Sequence, residues 1–177
     1  CHRFLLQDPN QNYFIAVEDP QIYNSTGATL GGVGGLSIGV SDINAAKAFY
    51  ALLGFDQVLY QGSGVYQDLA SFPGGSQELE RVILTSNEPA KGPFGGVIGF
   101  SKIELICTPP RKGQKIFRGR IWGDIGFVHL GLDVYDMRGL QAQLKTNGIE
   151  FNCDSQEALS MGQTQVHCAY ICDPDGI

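Results

Sequence analysis

An internal repeat is the feature of this sequence that most constrains its fold. Two stretches align without a gap at an offset of 94 residues: 36–55, which reads LSIGVSDINAAKAFYALLGF, and 130–149, which reads LGLDVYDMRGLQAQLKTNGI. In this alignment Asp42 matches Asp136, and a glycine stands one residue before the end of each stretch. A repeat of this kind predicts two copies of one supersecondary unit that share a core.

Each copy predicts a strand followed by a helix. Apolar residues at every second position open the two copies: Leu36, Ile38 and Val40 in the first, Leu130, Leu132 and Val134 in the second. This alternation is typical of a half-buried strand. The aspartate that follows is a good N-cap, a helical stripe of apolar residues comes next, and the glycine marks the position where the helix ends.

Further strand-like runs complete the two units. They lie at 56–60, 81–85 and 102–108 after the first helix, and at 149–152 and 165–173 after the second. The first unit, 36–120, therefore has the predicted order strand, helix and three strands. The second unit, 121–177, has the same predicted order without its last strand.

The beginning of the sequence resembles its end. LQDPNQNYF at 6–14 is similar to ICDPDGI at 171–177, because each has an apolar strand, an Asp-Pro turn and a second apolar start. We therefore expect residues 1–17 to be the last two strands of a preceding unit, with the glycine-rich stretch 18–35 as the linker. On this interpretation the sequence is a piece of a longer protein.

Composition and charge narrow the classes of function. Apolar residues make up 43% of the 177 residues and charged residues 17%, as in a folded globular protein. The net charge of −6 disfavours nucleic acid and anionic membranes as partners. No apolar run has the ~20 residues needed to span a bilayer, and no signal pattern opens the sequence. The five cysteines form no CxxC pair, so we expect free thiols in a reducing, cytoplasmic compartment.

A basic segment joins the two units. It holds five of the twelve positive charges: Arg111, Lys112, Lys115, Arg118 and Arg120. One interpretation is a solvated linker. The alternative is a clamp for a carboxylate or phosphate of a substrate, which arginine grips with two hydrogen bonds.

Three polar residues in apolar, strand-like runs are candidate functional residues. Glu104 alternates with apolar neighbours, and its carboxylate is costly to bury unless it pairs with Arg81 or Lys102 or binds a metal. His129 is either a hydrogen-bonded structural residue or a metal ligand. His167 precedes the Asp-Pro turn, where it is either a wall residue or a proton donor to a bound substrate.

Three motifs together resemble the vicinal oxygen chelate superfamily. They are SDINAAKAFYALLGF at 41–55, GFVHLGLDVYDM at 126–137 and the DPDG turn at 173–176. The superfamily includes glyoxalase I, bleomycin-resistance proteins, methylmalonyl-CoA epimerase and the extradiol dioxygenases. The resemblance implies an α+β fold in which paired βαβββ modules form one curled, mixed-sheet cleft for a small-molecule substrate.

The resemblance also implies where a metal would bind. Members commonly take one ligand from the first strand and one from the last strand of each module, which here gives His129 and Glu104. The first-strand position of the first module falls on Gly35, which cannot ligate, and Ile15 takes the last-strand position of the preceding unit. A further glutamate is expected shortly beyond Ile177. The implied cofactor is a divalent ion of Zn, Fe, Mn, Ni or Co.

Two functions from different classes follow from this resemblance. The first is a metal-dependent enzyme for a small substrate with vicinal oxygens, with Glu104 and His167 as catalytic groups. Gly35 removes the first histidine of a dioxygenase site, so isomerase or lyase chemistry is favoured. The alternative is a metal-free protein that binds or sequesters a small molecule, as bleomycin-resistance proteins do. The expected protein partner is a second copy, in a homodimer, or the missing N-terminal module.

Overall fold

The computed structural model describes residues 2–19, 27, 29, 31–88, 101–155 and 157–177. In this part of the chain two α-helices combine with one four-stranded mixed sheet and three two-stranded antiparallel sheets. The fold class is therefore α+β, as predicted. Much of the expected linker 18–35 lies outside the described residues. Neither described helix has the length and apolar character needed to cross a membrane.

The elements follow one another in an order that includes a complete strand–helix–three-strand unit. In the described residues they are β1 (Arg3–Gln7), β2 (Tyr13–Val17), β3 (Gly35–Gly39), α1 (Ile43–Leu52), β4 (Gln57–Gly64), β5 (Leu79–Thr85), β6 (Lys102–Cys107), α2 (Met137–Thr146), β7 (Cys153–Asp154), β8 (Leu159–Met161), β9 (Thr164–Val166) and β10 (Ala169–Tyr170). A short 3₁₀ helix, Gln67–Leu69, lies between β4 and β5. The stretch from β3 to β6 is the complete unit.

Helix α1 begins and ends where its sequence predicts. The carboxylate of Asp42 accepts hydrogen bonds from the backbone amides of Asn44 (2.8 Å) and Ala45 (3.0 Å), which are otherwise free donors of the first turn. After Leu52 the chain turns through Gly54, whose φ of 93° favours glycine. The buried side of the helix packs into the core with the four-stranded sheet: Ile43, Ala46, Phe49 and Tyr50.

The four-stranded sheet has the order β3–β6–β5–β4, with β3 and β6 parallel and the other pairs antiparallel. Because side chains alternate along a strand, its two faces differ. The face toward α1 is apolar and buried: Ile38, Val82, Leu84, Ile103 and Leu105. Each of these side chains contributes about 1.5–3 kcal/mol by leaving water. The opposite face, here called the polar face, carries Ser37, Arg81 and Glu104, and Ser37 lies directly opposite Glu104 in the ladder.

Helix α2 lies 94 residues after α1 and has the same length. Asp136 caps it, because its carboxylate accepts the backbone N–H of Gly139 at 2.9 Å. Leu144 is fully buried. The chain leaves the helix through Gly148, which has a positive φ of 73°. The two helices therefore follow the 94-residue offset found in the sequence.

The strand predicted at the start of the second unit is wrong. Residues 130–134 form no strand in the described part of the chain, whereas the matching residues 36–39 lie in β3. The two segments differ in whether a partner strand is present. β3 pairs with β6, whereas no described segment pairs with 130–134. Backbone groups without a ladder partner do not make a strand. The predicted run 165–173 is divided between β9 and β10, and β7 follows the predicted run 149–152 instead of filling it.

β1 and β2 form an antiparallel hairpin. Its Asp8 turn has the same hydrogen bonds as the Asp173 turn, since each carboxylate accepts the backbone amides two and four residues further on. The residue three positions after each aspartate has a positive φ, 68° at Gln11 and 85° at Gly176. The two turns are thus alike in structure as in sequence. The assignment of the hairpin to a preceding unit stays a prediction.

The Asp173 turn ties the second unit to the first. The Tyr50 hydroxyl donates a 3.1 Å hydrogen bond to the Asp173 carboxylate, and both residues are buried. The backbone amide of Ser41, just before α1, donates to Asp175 at 2.9 Å. Burial, together with the negative charge of Asp173, raises the pKa of Tyr50 far above its ordinary value. Tyr50 is therefore a hydrogen-bond donor across the whole physiological pH range.

Candidate functional site

The polar face of the sheet holds Glu104 in a closed set of hydrogen bonds. Glu104 lies in the middle of β6, and only 5% of the residue is exposed. The Nε of Arg81 donates to its Oε1 at 2.7 Å, and a terminal nitrogen of the same guanidinium contacts that oxygen too. The Ser37 hydroxyl donates to Oε2. Both oxygens of the Glu104 carboxylate therefore accept hydrogen bonds. The sequence left Arg81 and Lys102 as possible partners, and Arg81 makes the salt bridge.

Two further residues extend this pair into a group of four charges. Arg81 donates two hydrogen bonds, of 3.0 and 2.8 Å, to Asp68 in the 3₁₀ helix. Arg3 of β1 donates to the same carboxylate at 2.6 Å and lies 3.6 Å from Glu104. We call Arg3, Asp68, Arg81 and Glu104 the ion-pair network. Its two cations balance its two anions, and the contacts of Arg3 fasten the N-terminal hairpin to the sheet.

The network favours the charged forms of Asp68 and Arg81. Partial burial alone would raise the pKa of Asp68, but the hydrogen bonds and charge of Arg81, helped by Arg3, hold that pKa below its ordinary value. Burial alone would lower the pKa of Arg81, and the carboxylates of Asp68 and Glu104 outweigh it, so the pKa of Arg81 is raised. The Arg81 guanidinium also lies over the ring of Tyr66, 5.0 Å from its centroid. Arg81 is thus held on several sides.

Gly35, the predicted first-strand position of the first module, has a structural reason to be glycine. A Cβ on Gly35 would clash with the backbone carbonyl oxygen of Lys102, because β3 and β6 approach closely there. Its φ of 155° also favours glycine. The position therefore has no space for a ligating side chain.

His129 has aromatic neighbours. Its ring stacks on Trp122 with centroids 4.8 Å apart and planes inclined by 19°, and Tyr170 lies at 6.3 Å with its ring inclined by 70°. The residue is exposed. Among the described residues the ring nitrogens of His129 have no hydrogen-bond partner. The imidazole is therefore open to a ligand that arrives from solvent.

The second unit also carries His167 and three exposed cysteines. His167 follows β9 and is exposed, with its Nδ1 3.4 Å from the backbone carbonyl oxygen of Ser155. Its role as a proton donor stays a prediction. The described cysteines are free thiols: Cys107, Cys153, Cys168 and Cys172. Cys107 is the buried one, and Cys1 lies outside the described residues.

Glu104 and His129 lie in two separate groups of side chains. The partners of Glu104 come from β1, β3 and β5, whereas His129 contacts Trp122 and Tyr170. Within the described ranges, no cluster of three or more His, Cys, Asp or Glu side chains is arranged to hold a metal ion. A divalent ion at Glu104 would lie beside two guanidiniums, which repel it. As arranged, these side chains do not fit the implied metal, and ligation by His129 and Glu104 stays a prediction.

Sequence reasoning missed Asp68 and Arg3. Arg81 could be predicted as an ion-pair partner of Glu104 because it lies in a predicted strand next to the strand of Glu104. Asp68 lies in a short 3₁₀ helix between strands, where no periodic pattern fixes which way a side chain points. Arg3 is far away in sequence, and its one signal is that it alternates with the exposed Phe4 along β1.

The basic segment between the units is mostly exposed. Four of its five cations are exposed: Arg111, Lys112, Lys115 and Arg118. Arg120 is half-buried and donates to the backbone carbonyl of Ile125 at 2.7 Å. This exposure is typical of a solvated linker, and it also leaves the four cations open to an anionic ligand.

A family model described as the Glyoxalase/Bleomycin resistance protein/Dioxygenase superfamily matches residues 32–177. The match includes the four-stranded sheet and both helices. The chain therefore belongs to this superfamily, which is the vicinal oxygen chelate group that its motifs resemble. No curated protein and no solved structure matches the chain. Because members of one fold differ in chemistry, the activity has to be argued from the side chains of this chain.

Proposed function

We propose that this chain is a metal-independent member of the superfamily that binds a small molecule. The observation that carries the proposal is the state of Glu104. Its two oxygens already accept hydrogen bonds from Arg81 and Ser37, and its charge is neutralised inside the ion-pair network. A carboxylate in this state is a poor ligand for a divalent ion, because binding has to break a buried ion pair first.

The surroundings of His129 support the same function. Its imidazole packs on Trp122 and is exposed, and its partners are separate from those of Glu104. In this arrangement His129 is part of an exposed aromatic surface on which a small molecule stacks. In the ion-pair network the contacts of Arg3 with Asp68 and Glu104 fasten the hairpin to the sheet.

A metal-dependent isomerase or lyase is the alternative. The open ring nitrogens of His129 favour it, since a neutral imidazole is a common metal ligand. For this function Glu104 has to leave Arg81 before it can take part in catalysis. His167 remains the candidate proton donor.

A titration with Co²⁺ tests the proposal. The protein is stripped with a chelator and then titrated, and the visible absorption of Co²⁺ and the heat of binding report coordination. We expect no stoichiometric binding by the natural protein. Stoichiometric binding that is lost in both His129→Ala and Glu104→Gln, and kept in the control His2→Ala, contradicts the proposal and supports the metal-dependent enzyme.

A further inference from the structure

Four aromatic rings form a cluster outside the ion-pair network. Trp122 lies nearly parallel to Phe117 and to His129, with interplanar angles of 13° and 19° and centroid distances of 6.1 and 4.8 Å. Tyr170 meets Trp122 edge-on at 5.6 Å. We call these four residues the aromatic stack. Trp122 has two nearly parallel ring partners, whereas Phe117 has Trp122 as its one ring partner among the described residues.

The aromatic stack is open to solvent. Trp122 is 58% exposed and Phe117 is 41% exposed. Ile121 and Ile125, which lie close to Trp122 in sequence, are 73% and 70% exposed. Stacking buries only the ring faces that contact each other, so much of the apolar surface of Trp122 and Phe117 stays exposed to water. Such surfaces on soluble proteins mark sites where a ligand or partner binds.

The charged residues that flank Phe117 in sequence are positive. Arg118 directly follows Phe117 and is exposed, and the segment 111–120 contains five cations and no carboxylate. Asp124, which follows the segment, accepts the backbone amide of Ile121 at 3.0 Å. The chain as a whole has a net charge of −6, whereas this segment is positively charged and attracts anions.

We propose that the outer face of Phe117 binds a planar aromatic carboxylate, which extends the aromatic stack by one ring while Arg118 pairs with the carboxylate. This inference rests on the proposed function and names its ligand class. Stacking selects a planar ring system, and a guanidinium grips a carboxylate with two parallel hydrogen bonds. A long polyanion such as nucleic acid is a poor occupant, because the chain as a whole is acidic.

Calorimetric titration of metal-stripped protein with three probes tests the ligand class. The probes are 2-naphthoate, which is planar and anionic, 2-naphthalenemethanol, which is planar and neutral, and cyclohexanecarboxylate, which is anionic and not planar. We expect 2-naphthoate to bind most tightly and to change the fluorescence of Trp122, the single tryptophan of the chain. No binding of 2-naphthoate up to about 10 mM, or equal binding of cyclohexanecarboxylate, overturns the proposal.

Two variants with matched controls test the site. Phe117→Leu keeps an apolar side chain and removes the ring, and we expect about tenfold weaker binding of 2-naphthoate. Arg118→Gln should weaken 2-naphthoate severalfold and leave 2-naphthalenemethanol unchanged. The controls Tyr135→Leu and Arg138→Gln alter an exposed ring and an exposed guanidinium elsewhere, and we expect both to bind like the natural protein.

The outcomes separate this inference from the proposed function. If 2-naphthoate binds the metal-stripped protein and Phe117→Leu equally well, the Phe117 site is wrong and metal-independent binding stands. If binding appears only after a divalent ion is added, the proposed function is wrong whatever Phe117→Leu does. If sedimentation shows that the natural protein is a dimer and Phe117→Leu a monomer, the surface is an interface between copies and the inference is overturned.

Discussion

The two units of this chain have similar sequence patterns but differ in how much sheet they form among the described residues. Both helices have ten residues, both begin after an aspartate that caps the first turn, and both are followed by a glycine with positive φ. The strand before α1 has a parallel partner, and the segment before α2 has none among the described residues. In the described part of the chain, the second unit adds only Leu144 to the buried apolar residues.

Helix signals are local in sequence, whereas strand signals depend on a second segment of the chain. A helix satisfies its backbone groups within its own segment and its caps, so a pattern of ten residues is enough to place it. A strand satisfies its backbone groups on a neighbour, and a lone ladder is only marginally stable. The alternation at 130–134 is as regular as that at 36–40, but it has no partner among the described residues and forms no strand there.

The largest effect is expected from shortening a core residue of the first unit. Leu105→Ala removes a fully buried side chain between α1 and the sheet, and it should lower the free energy of unfolding by about 4 kcal/mol because it leaves a cavity. The same substitution in the second unit, Leu132→Ala, alters a side chain that is 38% exposed and should cost below about 1 kcal/mol. Urea unfolding measures both, and equal losses would contradict the contrast between the units.

A smaller loss is expected on the polar face. Glu104→Gln keeps the shape of the side chain and leaves the buried Arg81 without a charged partner on one side, so the free energy of unfolding should fall by about 3 kcal/mol. Glu80→Gln is the control, because Glu80 lies in β5 and is exposed, and it should change stability by under about 0.5 kcal/mol. If the two variants are equally stable, the ion-pair network does not hold the sheet and hairpin together.

The smallest effect is expected where the two units meet. Tyr50→Phe removes the hydroxyl that donates to Asp173, and it should lower the free energy of unfolding by about 1 kcal/mol. Hydrogen exchange should speed up in the Asp173 turn, which loses a contact with α1. Tyr135→Phe is the control because Tyr135 is 86% exposed. An unchanged Asp173 turn in Tyr50→Phe means that other contacts couple the units.

The sequence predicts the parts of this protein that depend on neighbouring residues in the chain. The caps at Asp42 and Asp136, the order from β3 to β6 and the likeness of the two Asp-Pro turns all follow from short motifs. The partners of Glu104 depend on which segments meet in space. Arg81 could be predicted as a partner of Glu104 because it lies in a predicted strand. Asp68 and Arg3 have no local sequence pattern that places them on this face of the sheet.

We propose that Glu104 belongs to the ion-pair network and not to a metal centre. The most direct test of this proposal is a crystal structure from crystals soaked in Co²⁺, with diffraction data collected at the cobalt absorption edge. We expect no anomalous peak within about 3 Å of the Glu104 carboxylate. We also expect the Nε of Arg81 to stay near 2.7 Å from the Oε1 of Glu104. A cobalt peak bonded to both Glu104 and His129, with Arg81 turned away, would contradict the proposal.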